Sequence, residues 1–230
     1  MSRVGFVAGW QSGMDRALKP NAFGVIVLAW GLAAMVALAE KRASLFGAAE
    51  RALEGQLFGF ILPVALFWLS TRVLSPERLD TSTSPLARFG VSRRAVALGV
   101  VSASMLVGAA VAGVAAAVTA SVGHDPSAPP VALDALTSAW IGALTASAYA
   151  ALFAFGATFG ARGGGRYLAL GFDFILGSTS GIAALLTPRA HALNLLGGEP
   201  PLLLSQPTSA ALLVVLAAGF TSLAIARLAP

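Results

Sequence analysis

Residues 95–123 read AVALGVVSASMLVGAAVAGVAAAVTASVG, with no charged side chain in the run. A helix rises about 1.5 Å per residue and the hydrocarbon core is about 30 Å thick, so this stretch is more than long enough to cross a bilayer. Four more uncharged stretches follow the same pattern, at 20–39, 55–71, 135–161 and 200–226. A sixth, 167–188, is interrupted only by Asp173. In lipid the backbone of an isolated segment satisfies its hydrogen bonds only internally, so these stretches are expected to be helices. The 230 residues are 57% hydrophobic and only 11% charged, against about 25% charged in soluble domains. The expected fold is therefore an all-α integral membrane protein with six transmembrane helices in a single domain covering 1–230. The last helix is expected over 209–226, because Pro200, Pro201 and Pro207 shorten the apolar run that precedes it.

Lys and Arg set the orientation. Arg3, Arg16 and Lys19 precede the first span, and Arg72, Arg78, Arg88, Arg93 and Arg94 follow the second. Arg162 and Arg166 follow the fourth, and Arg227 follows the sixth. The other side holds Lys41, Arg42, Arg51 and Arg189, four cations against eleven. Both termini are expected in the cytoplasm. Ala37-Leu38-Ala39 imitates a signal-peptidase site, but the apolar run before it is longer than a usual signal core. The net charge of +5 is a property of loops flanking spans and does not point to nucleic acid.

Between the spans, three segments are informative. Residues 1–19 place Val4, Phe6, Val7, Trp10, Met14 and Leu18 roughly on one face, as in an amphipathic helix lying in the interface. Residues 75–94 carry two helix-start signals, Ser75-Pro76-Glu77 and Ser84-Pro85, with Gly90 as a stop. A short helix over 84–90 is expected there, exposing Arg88 and Phe89. Residues 188–207 combine Gly and Pro breakers with many leucines, as a partly re-entrant segment before the last span would. Gly156, Gly160 and Gly164, and then Gly177 and Gly181, stand four apart and are read as close helix packing.

The chemistry is sparse. Neither Lys19 nor Lys41 ends a phosphate loop, so the chain is expected to bind no ATP of its own and not to be an enzyme. There is no cysteine, and His124 and His191 are expected in outside loops with no metal-ligand spacing around them. The run Gly177-Ser178-Thr179-Ser180-Gly181 looks like a nucleophile motif, but its central residue is threonine. A serine protease would need Ser178 or Ser180 to meet His191. Asp173 is an intramembrane charge, about two turns from Arg166 on the same helical face. It is either a functional charge, for proton coupling or substrate contact, or an acid that snorkels or pairs with a cytoplasmic-side arginine.

This layout resembles the membrane (permease) subunit of type-2 ABC transporters. As a motif the resemblance rests on residues 77–99, ERLDTSTSPLARFGVSRRAVALG, where Asp80-Thr81 stands in place of the family's usual Gly-Thr after the acidic residue. As architecture it covers nearly the whole chain. It implies that the 84–90 helix couples to a separate ABC ATPase subunit through Pro85, Leu86, Arg88, Phe89 and Arg93, and that ATP is bound by that partner. It further implies a second permease copy or a homologous permease, surrounding membrane lipids, and a multi-pass place in the inner membrane of a bacterium. The expected function is ATP-driven export of an amphipathic, lipidic or peptide cargo. An ion-coupled carrier using Asp173, or a non-transporting assembly subunit, is the alternative.

Overall fold

A computed structural model describes residues 3–44, 46–75, 77–88, 90–127 and 129–228. Among them there is no strand, and the fold is an all-α bundle of the membrane type. Among the described residues, five helices are long and apolar enough to cross a bilayer. They are α2 (Pro20–Ala43), a continuous helix made of α3 (Ala48–Arg51), a π-helix (Ala52–Ile61) and α4 (Leu62–Leu74), then α6 (Arg93–Gly123), α7 (Val131–Gly156) and α10 (Gln206–Ala226). Shorter elements are α1 (Arg3–Ala17), α5 (Leu79–Ala87), α8 (Gly165–Leu176) and α9 (Pro188–Leu195).

The long α6 is the axis of the bundle and touches α1, α2, α4, α5, α7 and α10. Small side chains make this possible: Ala97, Gly99, Ala103, Gly108, Ala112, Ala115 and Ala116 are all buried along it. Larger residues of α4 and α7, including Leu62, Leu66, Phe67, Tyr149 and Phe153, fill the remaining space. The outward faces stay apolar. Phe23, Val27, Leu28 and Met35 of α2, and Val214 and Val215 of α10, are exposed, as lipid-facing residues are.

The first helix departs from the expected face. What α1 presses on the bundle is Gly5, Gly9, Gly13 and Ala17, a four-residue small stripe, while Val4, Val7 and Leu18 are exposed. The backbones approach so closely that a Cβ at Gly9 would land on the Val96 carbonyl, and one at Gly99 on the backbone of Phe6. α1 therefore runs along the first turns of α6 through a glycine seam. From there α2 continues alongside α6, with Trp30 Nε1 donating to Val111 O (3.0 Å) and Lys41 Nζ to Val122 O (3.0 Å).

Over 167–188 the chain is not one helix. α8 stops at Leu176 after 12 residues, and 177–181 turn into a 3-10 turn (Ile182–Leu186) before α9. α9 packs back on α7 and α10. Glycine is the local reason: a Cβ at Gly177 would strike the Asp173 carbonyl and the Arg189 side chain. Only glycine lets the end of α8 and the start of α9 meet. The Gly156–Gly164 spacing likewise does not lie on one helix face. α7 ends at Gly156, and Gly160 and Gly163 adopt φ of 73° and 69° in the turn that follows.

The π-helix was not foreseeable from hydropathy. Pro63 cannot donate to the carbonyl four residues back and crowds it, and widening the preceding turns relieves that conflict. At the same end of the bundle Asp125 joins two loops. It accepts from Ser127 N (2.8 Å), Ser127 Oγ (2.7 Å) and Gly47 N (3.0 Å), and the Ser127 amide and hydroxyl hold its carboxyl below the usual carboxylate range.

The glycine seam gives a direct test. Gly9→Leu forces α1 off α6, and the overpacking should cost about 1–3 kcal/mol. Its thermal midpoint in detergent should fall and trypsin should cleave faster at Arg16, whereas Gly24→Leu, which meets open space, should leave both unchanged.

Candidate functional site

Three features stand out along one side of the bundle: a short helix at the arginine-rich end, a buried polar chain through α8, and a chamber at the opposite end.

The short helix is α5. It is longer at its start than the expected 84–90 element, running Leu79–Ala87 straight through Pro85. In its first turns Asp80 Oδ1 accepts from Thr81 N (2.7 Å), while Ser82 Oγ and Thr83 Oγ1 donate to Leu79 O (both 3.0 Å) and Ser84 Oγ donates to Asp80 O (2.8 Å). The helix passes through Ser84-Pro85 without restarting and ends at Ala87, before the expected stop. Arg78 pairs with Asp80 at 3.0 Å across the helix start. Leu79 and Thr83 are buried and anchor α5 on α6 and α7, with Leu79 N donating to Ala157 O (3.3 Å). Among the residues expected to dock a partner, Pro85 and Arg88 are exposed and Leu86 is half-buried. Arg93 is half-buried at the start of α6, its Nε without a hydrogen-bond partner, and Phe89 lies outside the described residues.

Arg166 ties this helix to α8. It is the largest fully buried side chain, 2% exposed, and its two terminal nitrogens donate to Ser75 O and Glu77 O, each at 2.6 Å. The guanidinium thus closes the backbone turn between α4 and α5. Sequence reading counted Arg166 only as a loop cation for orientation and missed this role. The run of glycines before it was the available signal: Gly165 lets α8 sit against the Gly156 carbonyl, which brings Arg166 inside.

Asp173, two turns further along α8, is completely buried. Its partner is not a cytoplasmic-side arginine. Tyr149 OH donates to Oδ2 at 2.6 Å and the Arg189 backbone N–H donates to Oδ1 at 3.3 Å. The Arg189 guanidinium instead lies over the Phe174 ring, 5.6 Å from its centroid. Asp173 therefore links α8 to α7 and to the first turn of α9, where an acceptor also meets the positive end of the helix dipole.

His191 is also buried, on α9 and not in an outside loop. Its Nε2 faces Leu185 O (3.0 Å) and must donate, which leaves Nδ1 to accept the Ser209 hydroxyl at 3.1 Å. Asn194 Nδ2 in turn donates to Ser209 Oγ (2.8 Å) and Leu204 O (3.0 Å). This set of hydrogen bonds pins α9 and the following loop to α10. Ser178 and Ser180 are exposed and do not pair with His191.

The chamber, about 520 Å³, opens beyond the end of α8. Its wall comes from Glu40 and Arg51, from Glu54 and Gln56 of the π-helix, from 178–180 and from Glu199. Arg51 is committed to Glu40 at 2.9 Å. Glu54 and Glu199 have no ion-pair partner among the described residues. No group of three or more His, Asp or Glu at metal-holding distance occurs among the described residues.

Neither family models, nor curated proteins, nor solved structures yield a match to this chain.

Removing a partner of a buried acceptor costs about 1–3 kcal/mol. Tyr149→Phe should lose stability on that scale, and Asp173→Ala should lose more, because it strands both the hydroxyl and the Arg189 amide. Asp173→Asn should be the mildest, since its amide can donate to Tyr149 while its oxygen still accepts from Arg189. Thermal unfolding of the three variants in one detergent checks the order.

Proposed function

We propose that the chain is the permease subunit of an ATP-driven type-2 ABC transporter. One observation carries the reading: an anchored helix, α5, stands between the second and third long helices at the arginine-rich end, rooted by Leu79 and Thr83 and presenting Pro85 and Arg88 outward. Packing on the bundle uses Leu79 and Thr83 of α5 and leaves Pro85 and Arg88 at the surface. A soluble partner that drives the bundle does need a rigid handle on it.

In this reading α5, with Leu86, Phe89 and Arg93 near its end, docks a separate ATPase subunit that binds the ATP. Two permease chains, identical or homologous, form the pathway with two ATPases. The arginine-rich end and both termini face the cytoplasm, and the membrane is the inner membrane of a bacterium. α8 enters from the cytoplasmic side as the start of the fifth crossing, and α9 with the loop that follows is the re-entrant element before α10. The apolar surfaces and the weakly charged interior favour export of an amphipathic, lipidic or peptide cargo over a small ion. The ion-coupled alternative would rest on Asp173, and that side chain is buried with both oxygens engaged, which makes it the weaker reading.

Gentle-detergent purification of the tagged chain from its host, followed by mass spectrometry, tests the proposal. A soluble subunit carrying a phosphate-loop motif should come with it near stoichiometrically. Arg88→Glu together with Phe89→Ala should reduce that recovery at least tenfold while leaving the thermal midpoint of the chain unchanged. Recovery of the chain alone, or only with other membrane proteins, would contradict the reading and favour an assembly role.

A further inference from the structure

We propose that α8 is a movable strut that couples α5 to the chamber at the other end of the bundle, with Arg166 and Asp173 as its two positioning residues. Its use in transport rests on the reading above; the coupling itself is a property of this chain alone.

The argument starts from what holds α8. Its buried residues are Gly165, Arg166 and Asp173. The rest of the helix is partly or largely exposed, with Tyr167, Leu168 and Ile175 between 65% and 77% exposed. α4 is the contrast. It too leads from the start of α5 toward the chamber, but Leu62, Leu66, Phe67, Leu69, Val73 and Leu74 lock it into the core. A helix locked by interdigitated buried side chains does not slide, whereas α8 adds to its two buried polar contacts only partly buried packing, of Ala169 and Leu170 on the core and of Tyr167 and Phe174 on the rings of Phe67 and Phe60, which can re-form after a rigid-body shift.

Each contact joins α8 to a different working part. Arg166 holds Ser75 O and Glu77 O, the backbone from which α5 departs. Asp173 holds Tyr149 and the amide of Arg189 at the start of α9. The two residues are seven apart, about 10 Å along the axis. Just beyond Asp173, residues 177–180 form one wall of the chamber, and Ala190 and Leu193 of α9 form another part of it. A displacement of the α5 root therefore acts on the chamber wall through one rigid helix.

The flanks of α8 suit such movement. Gly160 and Gly163 take left-handed φ before it, with Gly164 following, and Gly177 and Gly181 stand after it. These residues bend without side-chain resistance, while the twelve residues between them stay helical. The Arg166 Nε has no hydrogen-bond partner, so the guanidinium keeps a spare donor for a second arrangement of the Ser75 and Glu77 carbonyls.

Coupling is reciprocal, and that supplies a test on the isolated, full-length chain in nanodiscs. Amide hydrogen exchange is followed by mass spectrometry in peptides covering 79–87, 177–187 and, as controls, α2 and α10. Arg166→Gln should speed exchange about fivefold or more in 177–187 as well as in 79–87. Tyr149→Phe, which keeps the ring and removes only the hydroxyl, should do the reverse and speed exchange in 79–87 at the far end. Arg166→Lys, with its charge and one donor kept, should sit between wild type and Arg166→Gln at both ends. The proposal is overturned if each variant loosens only its own end, or if all peptides including the controls speed up together. Absence of a copurifying ATPase would remove the transport reading and leave this result standing.

Discussion

The structure depends on one constraint: a polar group inside a hydrocarbon slab must find its partner within the protein. Most of the chain meets it by being helical and apolar. Among the described residues of the spans, two charged side chains do not. Arg166 and Asp173 lie fully inside on a short helix, and the local architecture is arranged around satisfying them. Arg166 draws the Ser75 and Glu77 carbonyls onto the start of α8, and Asp173 draws α9 back to α7 and α8. The resulting fold has five long helices and a sixth region that is broken and held by hydrogen bonds.

That constraint explains what was legible beforehand. Uncharged runs long enough to cross a bilayer mark α2, α6, α7 and α10, and Ser205 starts α10 close to the expected residue, with its Oγ accepting from Thr208 N. A short helix after the second long one was legible too, because Ser75-Pro76-Glu77 and Gly90 are boundary signals. Its bounds were not: the helix runs Leu79–Ala87 straight through Pro85 instead of starting at Ser84-Pro85 and reaching Gly90.

The remainder was hidden for physical reasons. Hydropathy is blind to close backbone approach, so it picks out Val4, Phe6, Val7, Trp10, Met14 and Leu18 as the face of the first helix, whereas Gly5, Gly9 and Gly13 are the buried side. It is equally blind to interruption inside an apolar run, so 167–188 read as one helix across the Gly177 turn. Asp173 was visible as an anomaly, but its partner was not: Tyr149 sits on another helix, 24 residues away, and nothing local announces the pairing. His191 carried no signal of burial because its partner, Ser209, also belongs to a different element.

The functional account turns on whether the exposed end of α5 touches a soluble ATPase in the membrane. The chain has no cysteine, so Arg88→Cys introduces a single reactive position for a photo-crosslinker. Irradiation of native membranes carrying that labelled variant should join the chain to one soluble protein that contains a phosphate-loop motif, and a label at Ser180→Cys, in the chamber turn, should not. Crosslinking at position 88 to lipid alone, or to membrane proteins alone, would contradict the account.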